Sequence, residues 1–206
     1  MKLTRRIGNH PVTIQFADDL KPQAEALLGK LAELDAKGPQ LHDGSVIDFG
    51  WSRLTLEAED DELVVCEPDF VGDPKERTSC VIAATLRISL RQAELLQRLG
   101  VEGLDARWDS TLAVQRGALA NARVYLERMA SENPSFSGWY IGEVKDSGPV
   151  KREDLESIPV HRLYTERPEL LDALALPPGW LVVFDGQVIE AVLNPAGKNV
   201  WEQAKL

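Results

Sequence analysis

The chain has 206 residues, 44% hydrophobic and 27% charged, a mixture that excludes a mostly disordered protein and leaves room for one large domain or two small ones. Its formal net charge of −10, from 23 basic and 33 acidic side chains, argues against nucleic acid and anionic membrane as partners, since both demand a basic face. No stretch approaches the roughly 20 apolar residues of a membrane span, which argues against a membrane partner as well.

The opening "MKLTRRIGNHPV" carries Arg5-Arg6, the germ of a twin-arginine signal, but Gly8, Asn9, His10 and Pro11 interrupt it where an apolar run should follow. The expected compartment is the cytoplasm, with Cys66 and Cys80 as reduced, partly buried thiols rather than a disulfide. "VTIQF" (12–16) has strand composition. In the following segment Leu20, Ala24, Leu27, Leu31 and Leu34 recur at steps of four and three, the spacing of one helical face. Asp18 or Asp19 is placed to accept first-turn N–H bonds, Pro22 suits that turn, and Gly38 is the stop.

"SVIDFGW", "RLTLEAE" and "ELVVCEPDF" form a meander of strands, with Leu54 and Leu56 facing one way and Thr55 and Glu57 the other. The acidic turn "EDDE" (59–62) joins the last two. A second amphipathic helix spans about 79–99, with Val81, Ala84, Ile88, Leu95 and Leu99 on its stripe and Gly100 ending it. In the second half, "STLAVQRGAL", "ARVYLERM" and "SGWYIGEV" are short strands, and "KDSGPVKREDLESIP" is a surface loop. "VHRLYT" resumes strand character, and "RPELLDALAL" is a short helix with Pro168 in its first turn. Asp185-Gly186 within "WLVVFDGQVIEAVL" is a strong hairpin signal.

The expected fold class is α+β: two packed α+β units, each a mainly antiparallel sheet with one or two helices, divided as 1–105 and 106–206. Residues 1–105 hold 12 basic and 19 acidic side chains, a net of −7, against −3 for the rest. Nine of the acidic residues fall within 57–76, where only Lys75 is basic. Charge so concentrated either keeps an edge strand from pairing with other molecules or steers a basic protein partner.

No catalytic constellation emerges. Cys66 and His161 with Glu67 or Asp69 are the parts of a nucleophilic site, but Cys66 lies in the apolar strand "LVVC" and no nucleophile turn is present. His10, His42 and His161 are scattered, and Glu67, Asp69 and Asp73 in "EPDFVGD" lack the other ligands of a calcium loop. No phosphate-binding loop occurs, so neither metal nor cofactor is expected. Three tryptophans follow glycine, at Gly50-Trp51, Gly138-Trp139 and Gly179-Trp180, and read as core anchors. In a strand, adjacent Trp139 and Tyr140 face opposite ways, so a buried Trp139 leaves Tyr140 for a partner.

"VYLERMASENPSFSGWYIGEV" resembles the signature of a bacterial immunity-protein family (number thirty-three in the polymorphic-toxin catalogue), formerly a domain of unknown function. Tyr125, Arg128, Ser137, Gly138 and Trp139 occupy its aromatic, arginine and S-G-W positions, and Phe136 stands where an acidic residue often precedes S-G-W. The resemblance covers roughly 108–200, with "GWLVVFDG" similar to the closing strands. It implies a non-catalytic inhibitor that binds and neutralises a cognate toxin in the producing cell; the acidic charge points to a basic effector, such as a nuclease. The expected partner-binding residues are Glu59, Asp60, Asp61, Glu62 and Asp69 from the acidic run, with Tyr140 and Glu143 from the aromatic strand. The competing readings are a small intracellular enzyme with a site assembled from distant sequence, and an acidic scaffold or regulatory module.

Overall fold

The computed structural model describes residues 1–144 and 150–202 and divides into two compact units, Met1–Leu90 and Arg91–Leu206. The division falls inside a helix, where the sequence reading had placed it near residue 106.

The first unit opens with β1 (Lys2–Ile7) and β2 (His10–Gln15), a hairpin whose first strand the polar composition of "KLTRRI" concealed. Helix α1 (Lys21–Lys37) buries Ala24, Leu27, Leu28 and Leu31, while Leu34, expected on the same stripe, is exposed at the helix end. Neither aspartate caps it: Asp19 forms a two-bonded pair with Arg87 at 2.7 and 3.2 Å, and Asp18 faces the N-terminal ammonium. Then come β3 (Val46–Phe49), β4 (Ser52–Glu59), β5 (Glu62–Pro68) and the short β6 (Thr78–Ser79). The sheet order is β1-β2-β5-β4-β3 with β6 beside β5, antiparallel except for β2 against β5. One face carries Ile14, Leu54, Leu56, Leu63 and Val65 into a core shared with Leu27 and Leu31.

Cys66 and Cys80 are joined as a disulfide, which corrects the expectation of free thiols. The reason lies in register. Glu67 pairs with Ser79 and Pro68 with Thr78, so one further step sets Cys80 across from Cys66, with Cα atoms 4.0 Å apart. A separation of 14 residues in sequence carries no hint of that.

Helix α2 (Ala83–Leu99) begins in the first unit and ends in the second. It buries Ala84, Ile88 and Leu95 as expected, although Val81 precedes it and is exposed.

The second unit holds β7 (Thr111–Gln115), β8 (Arg123–Arg128), β9 (Phe136–Glu143), β10 (Leu155–Pro159), β11 (Leu181–Asp185) and β12 (Val188–Leu193). They form one sheet in the order β10-β7-β9-β8-β11-β12, antiparallel except for β7 against β9. The α+β organisation therefore holds in both units. Two segments differ from expectation. The end of the expected loop is strand β10, paired with β7, while residues 145–149 of that loop lie outside the described residues. "VHRLYT" is helical rather than extended. Val160 and His161 donate their N–H groups to the carbonyls of Ser110 and Trp108, and the chain then turns into α3 (Leu163–Glu166), where Leu163 is buried and Arg162 pairs with Glu166. A 3-10 segment, Pro168–Ala175, follows and buries Leu170, Leu171 and Leu174.

Candidate functional site

The pleat of the second sheet sorts its side chains into two faces. Leu112, Val114, Leu126, Trp139, Ile141, Val182 and Phe184 are buried on one, along with the leucines of the 3-10 segment. The other face carries side chains that are mostly half-buried. Across it, Ala113 pairs with Tyr140, Tyr140 with Glu127, Glu127 with Leu181, and Leu181 with Leu193. The adjoining row runs Gly142, Tyr125, Val183 and Ala191. All are half-buried or exposed except Gly142.

Gly142 is buried because the two tyrosines lie over it. Their rings meet edge to face with centroids 5.6 Å apart, and a Cβ at position 142 would stand 2.6 Å from the Tyr140 hydroxyl and 2.8 Å from Tyr125 Cε1. A residue without a side chain thus lets two aromatic rings lie against the sheet as one plate. Burial raises the Tyr140 pKa above the ordinary phenol range, so its hydroxyl stays neutral. Its margins are charged: Glu127 beside Tyr140, and Arg123 with Asp185 beyond Tyr125, where Arg123 makes two bonds of 2.7 Å to Glu190.

The remaining signature residues build the support behind this face. The Arg128 side chain is 4% exposed and donates to the backbone carbonyls of Leu104, Asp105, Ser137, Leu174 and Leu176. Burial pushes its pKa down to about 10, still cationic at neutral pH. Trp139, wholly buried, donates its indole N–H to Leu174 at 3.0 Å, and Ser137 Oγ donates to the Thr111 carbonyl at 2.9 Å. Gly138 has φ +82°, and a Cβ there would stand 2.3 Å from the Met129 carbonyl oxygen, so only glycine fits. Arg-S-G-W is therefore a clasp holding β8, β9 and the end of the 3-10 segment, and Tyr125 alone of the signature faces outward.

The expected binding residues are dispersed. Tyr140 lies on the face of Tyr125, but Glu143 belongs to the face of Trp139 and Ile141, where Asn121 donates to its carboxylate and its own N–H bonds Gln115 at 3.0 Å. In the first unit, Glu59, Asp60 and Asp61 are exposed at the β4–β5 hairpin, with Asp60 at φ +50°. Glu62 is engaged by Lys2 and then Thr13, which hold its carboxyl below the usual range. Asp69 accepts from the Gly72 N–H at 2.9 Å and faces Arg77. Tyr125, Leu181 and Val183 were missed as a surface because only pairing of β8 with β9 and β11 assembles them. The one sequence signal for them was the alternation of "RVYLER" and "LVVFD".

The buried carboxylates serve the fold. Glu67 accepts the N–H groups of Ala84 at 3.0 Å and Thr85 at 2.6 Å, capping α2 from β5. Burial nevertheless raises its pKa to about 7. Because the folded value lies above the unfolded one, Glu67 contributes most below about pH 4.5, and that contribution is lost as pH rises through about 7. Urea unfolding between pH 4 and 8 should therefore show a decline that Glu67→Gln lessens by about 2–3 kcal/mol. Parallel profiles for the two proteins would refute it. Asp172, raised by burial to about 6, faces Arg91 at 3.0 Å. His161 packs against Trp108. A hollow of about 340 Å³ near Arg128 is lined by Leu104, Asp105, Arg107, Met129 and Phe136, with no histidine among the described residues that line it.

No curated protein and no solved structure matches the chain. The Imm33-like domain matches residues 91–201, which take in the whole second sheet, the Arg-S-G-W clasp and the tyrosine plate. That match covers more than half of the chain, and the protein belongs to the Imm33-like family of immunity-protein domains.

Proposed function

We propose that the protein is a non-catalytic immunity protein that binds and neutralises a cognate bacterial toxin, with the tyrosine face of the second sheet as its docking surface. The observation that carries this reading is the Tyr125–Tyr140 plate over Gly142, flanked by half-buried Leu181 and Val183. Paired aromatics on a rigid sheet, ringed by charge, have the composition of an interface hot spot. Family membership supports a protein toxin as the occupant. The net charge of −10 supports a basic one.

The direct test is co-expression with a toxin that kills the host cell, sought first among genes neighbouring this one. The wild-type chain should restore growth, and Val183→Glu, which plants a charge at the centre of the face, should not. Rescue by a folded Val183→Glu protein would remove this face from the account. The exposed hairpin contributes rate rather than contact. Neutralising Glu59, Asp60 and Asp61 together should slow association and flatten its salt dependence while leaving dissociation unchanged. Stopped-flow association across a salt series reads this directly, and identical slopes would eliminate the hairpin.

A further inference from the structure

The first unit carries a second feature that toxin binding does not use. Cys66 on β5 and Cys80 just after β6 face the carboxylate of Glu57 on β4, and the two Sγ atoms and a Glu57 oxygen lie within 4.8 Å of one another. Three strands bring them together: Thr55 pairs with Cys66, placing Glu57 one diagonal step away, while the β5–β6 register supplies Cys80. The geometry points to a redox-gated site for a soft divalent metal ion such as zinc, closed as a disulfide under oxidising conditions and opened to metal by reduction.

The ligand chemistry fits. Two thiolates and a carboxylate are zinc donors, and ligand atoms around tetrahedral zinc sit about 3.5–3.8 Å apart, given Zn–S near 2.3 Å and Zn–O near 2.0 Å. Sulfur atoms released from their bond need only small side-chain rotations to reach that spacing. The Thr78 hydroxyl already donates to Glu57 Oε1 at 2.6 Å and so orients the carboxylate, the usual part of an outer-sphere partner. Cys66 is wholly buried and Cys80 half-buried, so one side of the site is dry and the fourth position faces water. Entry is also from the Cys80 side. The thiolate of an external dithiol attacks Cys80 Sγ, and Cys66 leaves as a thiolate. The second thiol of the reductant then displaces Cys80 from the mixed disulfide. Two electrons pass to the protein, the reductant departs as its own disulfide, and zinc takes the place of any protons on the two sulfurs.

The test uses the full chain, reduced and then freed of reductant without oxygen, and titrated with zinc against a chromophoric chelator. One zinc ion per chain is expected for the reduced protein and none at this site for the oxidised one. Cys66→Ser/Cys80→Ser should abolish that binding, and Glu57→Gln should weaken it at least about tenfold. Cobalt in place of zinc should give a thiolate charge-transfer band that the serine variant lacks. Zinc should also raise the unfolding midpoint of the reduced chain. Absence of zinc binding by the reduced wild type, folded or unfolded, overturns the proposal. So does binding that survives in the serine variant, or binding that Glu57→Gln leaves unchanged.

Discussion

Arg128→Met should cost the second unit about 3–5 kcal/mol, since a buried acceptor left without its donor costs about 1–3 kcal/mol and several backbone carbonyls lose one here. Buried Leu176 would lose this donor, Leu174 would keep only the Trp139 indole, the carbonyls of Leu104, Asp105 and Ser137 would lose it nearer the surface, and methionine fills the volume without replacing a single bond. Against a typical total of about 5–15 kcal/mol, that brings the unit close to unfolding. Arg128→Lys should recover only part of the loss, because an ammonium offers three donors from one point where the guanidinium spreads five over a planar fork. Arg123→Met is the control, since that arginine is solvent-exposed with Glu190 and its removal should hardly move the transition. Urea unfolding followed by tryptophan fluorescence reports on the clasp through Trp139. Equal midpoints for the Arg128 and Arg123 variants would show that the clasp is not what holds the unit together.

The second large effect concerns binding. Tyr125→Ala with Tyr140→Ala should weaken affinity for the cognate toxin by at least about 2 kcal/mol, roughly thirtyfold in Kd, while circular dichroism stays that of the wild type. Gly142→Ala is the sharper probe. It removes no contacting atom, but its methyl group occupies the space into which both rings settle and lifts them from the sheet. Its affinity should fall between the wild type and the double alanine variant. Titration calorimetry at constant salt separates the outcomes. A double variant that binds within twofold of wild type would place the interface elsewhere on the molecule.

Both predictions rest on residues that the sequence displayed without explaining. The alternation in "RLTLEAE" and the four-and-three spacing of α1 correspond to elements that form as read, because each records which side of a local structure faces the core. The S-G-W run was legible as a marker of the family, yet its residues do different work. Trp139 and Arg128 fasten the fold, whereas Tyr140 lies on the opposite face of the sheet because a strand alternates its side chains. That same alternation put Glu143 on the opposite face from Tyr140, so the two never formed one surface. Helical "VHRLYT" was read as strand because β-branched and aromatic composition cannot register the bonds from Val160 and His161 to the Trp108–Ser110 turn.

Composition, net charge, the helical stripes and the hairpin at Asp185-Gly186 were determined by the sequence alone, since each depends on neighbours within a few residues. Everything that depends on strand register was decided by the tertiary structure: the bridge between Cys66 and Cys80, the carboxylate of Glu57 beside it, the capping of α2 by Glu67, and the plate that Tyr125 and Tyr140 make over Gly142. The physical reason is that pairing between strands is chosen by the burial of whole faces at once, and no local pattern along the chain records which residue will stand opposite another.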